Sequence, residues 1–240
     1  MDIRKKTILI TGANRGIGAA LVRAFLKHGA GKIYAGARNL AALPDFGDAR
    51  VVPLELDITK PAQVEAAARK AGDIDILINN AGVMHSAGIF AVSPADLAVD
   101  MEVNFYGTVR MMQAFVPVLE KRGHGLIANV ASVVSLASVP AIAGYSASKA
   151  ALFSATQAAR TALKPKNIKV VGIFPGPIDT DLAAGLTLDK ATPDHAAEEI
   201  IAGILADQED IYPDPTAKQV SGLWGINPKG LEQYFAGLPA

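Results

Sequence analysis

Six apolar runs of strand length alternate with longer helical patterns through this chain, and no other feature narrows the possible folds as far. The runs are TILIT (7–11), KIYAGA (32–37), RVVPLEL (50–56), IDILIN (74–79), GLIANVA (125–131) and IKVVGIF (168–174). They are nearly continuous rather than alternating in polarity, a pattern that belongs to strands covered on both faces, as in a parallel sheet. A short seventh run, DIYP (210–213), reads as an edge strand. Helical patterns fill the intervals at 16–29, 61–71, 94–121, 143–163 and 193–206. Ser93-Pro94 and Thr192-Pro193 each supply an N-cap followed by a first-turn proline, and Gly29 and Gly72 stand where helices release the chain. The expected fold class is α/β, a doubly wound parallel sheet of about seven strands with helices on both faces.

Composition removes several function classes. Lys plus Arg and Asp plus Glu both number 23, so the net charge is zero and nothing general favours nucleic acid or an anionic membrane. The absence of cysteine excludes disulfides, thiolate metal sites and a cysteine nucleophile, and it fits a cytoplasmic location. No spacing of His, Asp and Glu points to a metal site. The charge-free run 125–148 reaches bilayer length, but it carries Asn129, Ser132, Ser135, Ser138, Ser146 and Pro140. It therefore reads as a buried strand, a loop and a helix start in a soluble chain.

The segment TILITGANRGIGAALVRAF is strand, turn and helix, with Gly12, Gly16 and Gly18 spaced G-x3-G-x-G. Such a turn lets the backbone approach a pyrophosphate closely and points a helix N-terminus at the anion. The segment TGANRGIG is similar to the cofactor motif of the short-chain dehydrogenase/reductase family. The similarity continues in order through NNAG (79–82), NFYG (104–107), Ser132, YSASK (145–149) and PGPIDT (175–180). It covers roughly residues 7 to 206. It implies a single-domain, Rossmann-like fold over 1–240, with a short substrate lid at 181–192 and a variable C-terminal tail at 207–240.

The resemblance implies cofactor contacts from Gly12, Asn14, Arg15, Gly16, Ile17 and Gly18 in the turn. Asp57 and Ile58 would lie at the adenine, and Asn79, Ala81 and Gly82 along the dinucleotide. Pro175, Gly176, Ile178 and Thr180 would grip the nicotinamide carboxamide. Relatives that prefer NAD tend to carry an acidic residue at the end of the second strand, where it would repel a 2′-phosphate. Here Ala37 takes that place, Arg38 follows, and Arg15 lies in the turn. Two guanidinium groups converging on one corner suit a phosphate, so NADPH/NADP+ is expected ahead of NADH.

Tyr145 and Lys149 are four residues apart and share a helix face. Taken alone, the pair is an ordinary surface arrangement. A phenol titrates near about 10, and an ammonium about 4 Å away contributes about 4 kcal/mol at an effective dielectric of about 20. With an oxidised nicotinamide nearby, the expectation is a phenol lowered by about two to three pKa units, suited to acid/base chemistry. The resemblance supplies the other roles. Lys149 would also bind the nicotinamide ribose, Ser132 would polarise a substrate carbonyl, and Asn104 would hold a water leading protons toward Lys149. The Y-x3-K interval disfavours the family's enoyl reductases.

Val133, Val134, Leu136, Val139 and Ile142 are expected to line an apolar pocket around Ser132, with Met84 and His85 beside it. A short lid implies an open site tolerant of bulky or varied carbonyls. The tail lacks the Gly-Gly pair that supports tetramer packing in many relatives, and the long helices offer a face for a homodimer or homotetramer. The expected activity is reversible, NADPH-dependent reduction of a ketone or aldehyde. The alternatives are an NAD-linked secondary-alcohol dehydrogenase and a non-catalytic cofactor-binding sensor.

Overall fold

Alternate residues of the first strand divide the core in two. In β1 (Thr7–Thr11), Ile8 and Ile10 enter one hydrophobic cluster and Leu9 the other, and all three are fully buried. Successive side chains of a strand point to opposite faces, so both faces of this sheet must be covered. The computed structural model describes residues 2–185 and 187–238. In chain order the other strands are β2 (Lys32–Ala37), β3 (Val51–Glu55), β4 (Ile76–Asn79), β5 (Gly125–Val130), β6 (Ile168–Ile173) and β7 (Asp210–Ile211). They form one parallel sheet in the order β3-β2-β1-β4-β5-β6-β7. The order reverses between β1 and β4, which opens a crevice at their carboxyl ends.

Helices α1 (Gly16–Lys27) and α6 (Pro193–Leu205) cover the Ile8 face through Leu21, Phe25, Ile200 and Ile204. Helices α2 (Pro61–Lys70) and α4 (Thr108–Arg122) cover the Leu9 face through Val64, Phe115 and Leu119. The expected caps form: the Ser93 hydroxyl accepts from Asp96 N at 3.0 Å and the Thr192 hydroxyl from His195 N at 3.2 Å. Gly29 has φ +85°, one residue beyond the cap of α1.

Helix α5 (Ala143–Leu163) is fixed to the sheet by a buried polar chain. Asn79 Nδ2 donates to Asn129 Oδ1 at 2.8 Å, Asn129 Nδ2 donates to Thr156 Oγ1 at 3.0 Å, and Thr156 Oγ1 donates to Leu152 O at 2.8 Å. Buried polar groups need such partners, and this set specifies one position for the helix.

Two elements differ from the sequence reading. The helix expected over 94–121 is divided into α3 (Pro94–Met101), a π-helical turn at Glu102–Gly107, and α4. A Cβ on Gly107 would meet Ile58 Cδ1 at 2.8 Å, so the wide turn is seated against the end of the third strand's loop. Hydrophobic periodicity cannot reveal a single inserted residue of this kind. The tail forms two helices, α7 (Pro215–Ile226) and α8 (Pro228–Ala236). Each has a proline in its first turn and a capping side chain: Asp214 Oδ1 accepts from Ala217 N at 2.9 Å, and Asn227 Oδ1 accepts from Gly230 N at 2.9 Å.

Candidate active site

A cleft of about 750 Å³ opens at the carboxyl ends of the strands, at the β1/β4 reversal. Its floor is the turn after β1. Gly12 and Gly16 adopt φ +66° and +54°, a region open to glycine but strained for other residues. A Cβ on Gly12 would stand 3.0 Å from Ala81 Cα, and one on Gly18 only 2.1 Å from Gly12 O. Gly18 therefore serves the contact between helix and turn; it does not line the cleft, whereas Gly12, Asn14, Arg15, Gly16 and Ile17 do. Gly18→Ala is expected to destabilise the protein by about 3 kcal/mol, through a backbone clash that no rotamer relieves. Its denaturation midpoint should fall at an unchanged slope.

Arg15 is the N-cap of helix α1, and its side chain makes no capping bond. Its first-turn N–H groups thus face the cleft above two glycines that admit close approach, a setting for a pyrophosphate. Asp57 and Ile58 line the far end. Burial would raise the Asp57 pKa, but hydrogen bonds from Thr59 and the charges of Arg38 and Lys60 outweigh it, leaving the carboxyl below its ordinary range. Arg38 is exposed at the end of β2. The Arg15 guanidinium instead donates to Asp181 Oδ2 at 2.8 Å, with both side chains largely exposed. Asp181 thus joins the lid to the glycine turn.

The NNAG segment requires a correction of one position. Asn79 ends β4 and points into the buried chain with Asn129, while Asn80 lines the cleft. Strand alternation forces this, because consecutive side chains take opposite sides. Asn80 Nδ2 donates to Thr11 O at 2.9 Å and Gly12 O at 3.2 Å, and Thr11 Oγ1 accepts from Asn80 N and Ala81 N. These bonds lock the second loop to the first. Gly82, Pro175, Gly176, Ile178 and Thr180 also line the cleft.

Tyr145 and Lys149 project from the first turns of α5, both more than nine-tenths buried. Lys149 Nζ donates to Val130 O at 2.8 Å and lies 5.6 Å from the centre of the Tyr145 ring. Ser132 follows β5 and caps a short 3-10 turn at Val133–Ser135; its hydroxyl donates to Pro175 O at 3.3 Å. Burial pushes the Tyr145 phenol up to about 12, against the lowering effect of its hydrogen bond with Ser132, and the Asp100 charge raises it further. In the protein alone the phenol is therefore raised; the expected lowering belongs to the site with an oxidised nicotinamide beside it. Lys149 places its ammonium on the Val130 carbonyl. Burial also lowers the Lys149 ammonium to about 8, although Asp100 opposes that shift.

Asn104 lies within the π-helical turn and is fully buried. Its Oδ1 accepts from Val83 N at 2.9 Å, and its Nδ2 donates to Val83 O and Ser148 Oγ, each at 2.9 Å. The side chain thus ties the 79–83 loop to α5. A Cβ on Gly82 would lie 3.1 Å from Asn104 Oδ1 and 3.5 Å from Lys149 Nζ, so these three groups share one small volume.

Met84, Val133, Val134, Val139 and Ile142 line the cleft as expected, joined by Ala141. Leu136 and His85 do not. Leu136 packs into the hydrophobic clusters beneath the 3-10 turn. His85 Nδ1 is bound to Asp100 Oδ1 at 2.8 Å, with Nε2 3.6 Å from Asp96 Oδ1. Asp100, which the sequence reading missed, is fully buried, and its Oδ2 has no hydrogen-bond partner. Its spacing from Asn104 on one helical path was the available signal.

The site also has a wall that the sequence reading did not anticipate. Helices α7 and α8 form a wall over it, bringing Thr216, Gln219, Tyr234, Phe235 and Leu238 to the cleft. Apolar burial drives this: Val220, Leu231 and Phe235 pack in one cluster with Val133, Val134, Ile142 and Tyr145. Asp214 roots the tail, since its Oδ2 accepts from Gly176 N at 2.7 Å. Leu186 of the lid lies outside the described residues.

A doubly wound sheet with a glycine cradle at its switch point, and a Ser-Tyr-Lys group above it, defines a dinucleotide-binding oxidoreductase of the Y-x3-K type. Comparison with known proteins agrees. The family model described as short chain dehydrogenase matches residues 6–191. A 3alpha-hydroxysteroid dehydrogenase from Mediterraneibacter gnavus is 30% identical over 226 residues, covering 88% of each chain. A short chain dehydrogenase from Burkholderia cenocepacia, solved in complex with NADP, superposes with a TM-score of 0.94 at 37% identity, over 100% of both chains. A 3-ketoacyl-(acyl-carrier-protein) reductase from Brucella melitensis complexed with NADH gives 0.79 at 29% identity, covering 90% of this chain and 93% of that one.

The chain belongs to the short-chain dehydrogenase/reductase family, oxidoreductases that interconvert CH–OH and C=O groups with a nicotinamide cofactor.

Proposed function

We propose that this protein reduces a ketone or aldehyde with NADPH, reversibly, and that Tyr145 is its general acid/base. The observation that carries the reading is the burial of Tyr145 in the cleft that Ser132 and the glycine cradle also line, with Lys149 Nζ 5.6 Å from the centre of its ring. A phenol held neutral up to about 12 is fully loaded as a proton donor at ordinary pH. When bound, the reduced nicotinamide supplies the hydride. Ser132 hydrogen-bonds the substrate carbonyl and directs it toward Tyr145, which gives its proton to the developing alkoxide. Lys149 stabilises the phenolate left behind and holds the nicotinamide ribose. Asn104 keeps Gly82 and Val83 against α5, so that this group retains one geometry. The oxidation runs the same steps in reverse.

Arg38 supports a 2′-phosphate, since Ala37 leaves the end of β2 without an acid. Arg38→Ala is expected to lower kcat/KM for NADPH about 10- to 100-fold, as loss of a charge-assisted contact does, with little change for NADH. Equal losses with both cofactors, or a wild-type preference for NADH, would remove the phosphate assignment. The NADH reading has one observation in its favour, the Arg15–Asp181 pair, which occupies the second guanidinium. The same proposal places the protein in the cytoplasm as a homodimer or homotetramer. Exposed Ala147 and Ala150 on α5, with Val99 on α3, leave the helix face smooth enough for a second copy.

A further inference from the structure

The substrate half of the cleft carries a chemistry of its own, and its outer wall comes from the C-terminal tail. Helices α7 and α8 present Gln219, Tyr234 and Phe235, and Leu238 just after α8 joins them, with Met84 and Val139 also lining the cleft. Among the described lining residues the cations are Arg15, Arg38 and Lys149. Arg15 and Arg38 belong to the cofactor end, Arg15 being paired with Asp181, and Lys149 is held on Val130 O. No cation remains for a substrate's own charge. The lid adds the reverse sign, an exposed carboxylate at Asp189. A carboxylate, phosphate or phosphorylated carrier arm would lose its hydration there and gain no partner.

The wall is built, not incidental. Asp214 clamps the start of α7 to Gly176 of the cofactor loop, and a Cβ on Gly176 would lie 2.6 Å from Asp214 Oδ1. Trp224 of α7 stands 6.2 Å from Phe153, itself edge-on to Phe174 at 5.0 Å. Phe235 is almost completely buried against Tyr145's own cluster. A tail secured at three places, and sharing a cluster with the proton donor, sets the shape and polarity that a substrate meets.

We propose that the substrate is an uncharged, largely apolar ketone, and that the α7–α8 wall selects it. This rests on the carbonyl-reductase reading and names the substrate class of that site. The test uses the full chain loaded with NADP+ or NADPH and paired compounds: a bicyclic aryl ketone and its alcohol, and the same two bearing a carboxylate on the distal ring. Binding of the alcohols to the NADP+ form is measured together with turnover of the ketones. The uncharged alcohol is expected to bind about 100-fold more tightly, and the uncharged ketone to be reduced with a correspondingly higher kcat/KM. Gln219→Arg, an exposed position on α7, should bring the carboxylate analogue about 10-fold closer to its parent. Leu238→Ala should weaken binding of the uncharged alcohol while leaving the carboxylate analogue nearly unchanged. Equal binding of the two alcohols by the wild type, or a ratio that neither variant moves, would overturn the substrate class. Ranked binding without any turnover would support this pocket and overturn the reductase reading alone.

Discussion

Tyr145→Phe is expected to lower kcat/KM for ketone reduction by roughly a thousandfold or more while leaving affinity for the cofactor within about twofold. Removing a positioned general acid typically has an effect of about 10²- to 10⁴-fold. The Ser132 hydroxyl donates to Pro175 O, and Lys149 Nζ donates to Val130 O. The substitution removes one oxygen and conserves the packing of the ring with Val133, Val134 and Phe235. Loss of activity can therefore be separated from loss of fold by comparing thermal midpoints. Activity near the wild-type level in this variant would exclude Tyr145 as the proton donor.

Lys149→Met is expected to act in opposite directions on activity and stability. Activity should fall by a comparable factor, since the phenolate loses its only adjacent cation among the described residues. Stability of the cofactor-free protein should rise at pH 7. Burial lowers the Lys149 ammonium from 10.5 to about 8. Between those values the unfolded chain holds a proton that the folded chain has released, so folding becomes more favourable as pH rises from about 8 to 10.5. Below about 8 the folded protein carries a buried charge that methionine removes. At about 1.4 kcal/mol per tenfold change in proton affinity, the gain is about 3 kcal/mol, less what is lost with the Val130 hydrogen bond. The difference between variant and wild type should shrink steadily above pH 8. With cofactor as the varied ligand, kcat/KM reports the free enzyme, so its alkaline limb should sit near 8 and vanish in the variant. A variant less stable than wild type at every pH would contradict the buried-charge account. Tyr145 has the other sign: its phenol stays protonated to about 12, so its contribution is present at neutral pH and is lost as pH rises from 10 toward 12.

The doubly wound sheet was legible because each strand is a short apolar run and each long helix has its own punctuation. The Ser93 and Thr192 caps form as their Pro-containing signals require. The glycine turn was legible because positive φ at Gly12 and Gly16 leaves few alternatives. Three features lay beyond periodicity. The π-helical turn around Asn104 inserts one residue without changing the apolar pattern. The sequence reading ended this strand at residue 79, as the structure does, but a continuous apolar run does not mark which face each side chain takes, and that decides between Asn79 and Asn80. The tail's two helices are short, and their apolar residues face the active-site cluster and not the sheet core, so the pattern has no partner until the fold is assembled. The Asp214-Pro215 and Asn227-Pro228 pairs were the signals that could have located them. The raised phenol had a different origin. A pairwise view of Tyr145 and Lys149 counts their attraction and omits the desolvation of both.

The proposed reduction is a direct hydride transfer to the carbonyl carbon in a site where this chain supplies the proton. Mass spectrometry of the alcohol formed from an uncharged aryl ketone, with NADPH deuterated at C4 of the nicotinamide as reductant, tests it most directly. One non-exchangeable deuterium is expected on the carbinol carbon, and none when Tyr145→Phe replaces the wild type over the same time. Alcohol formed without that label, or labelled equally by the variant, would contradict it.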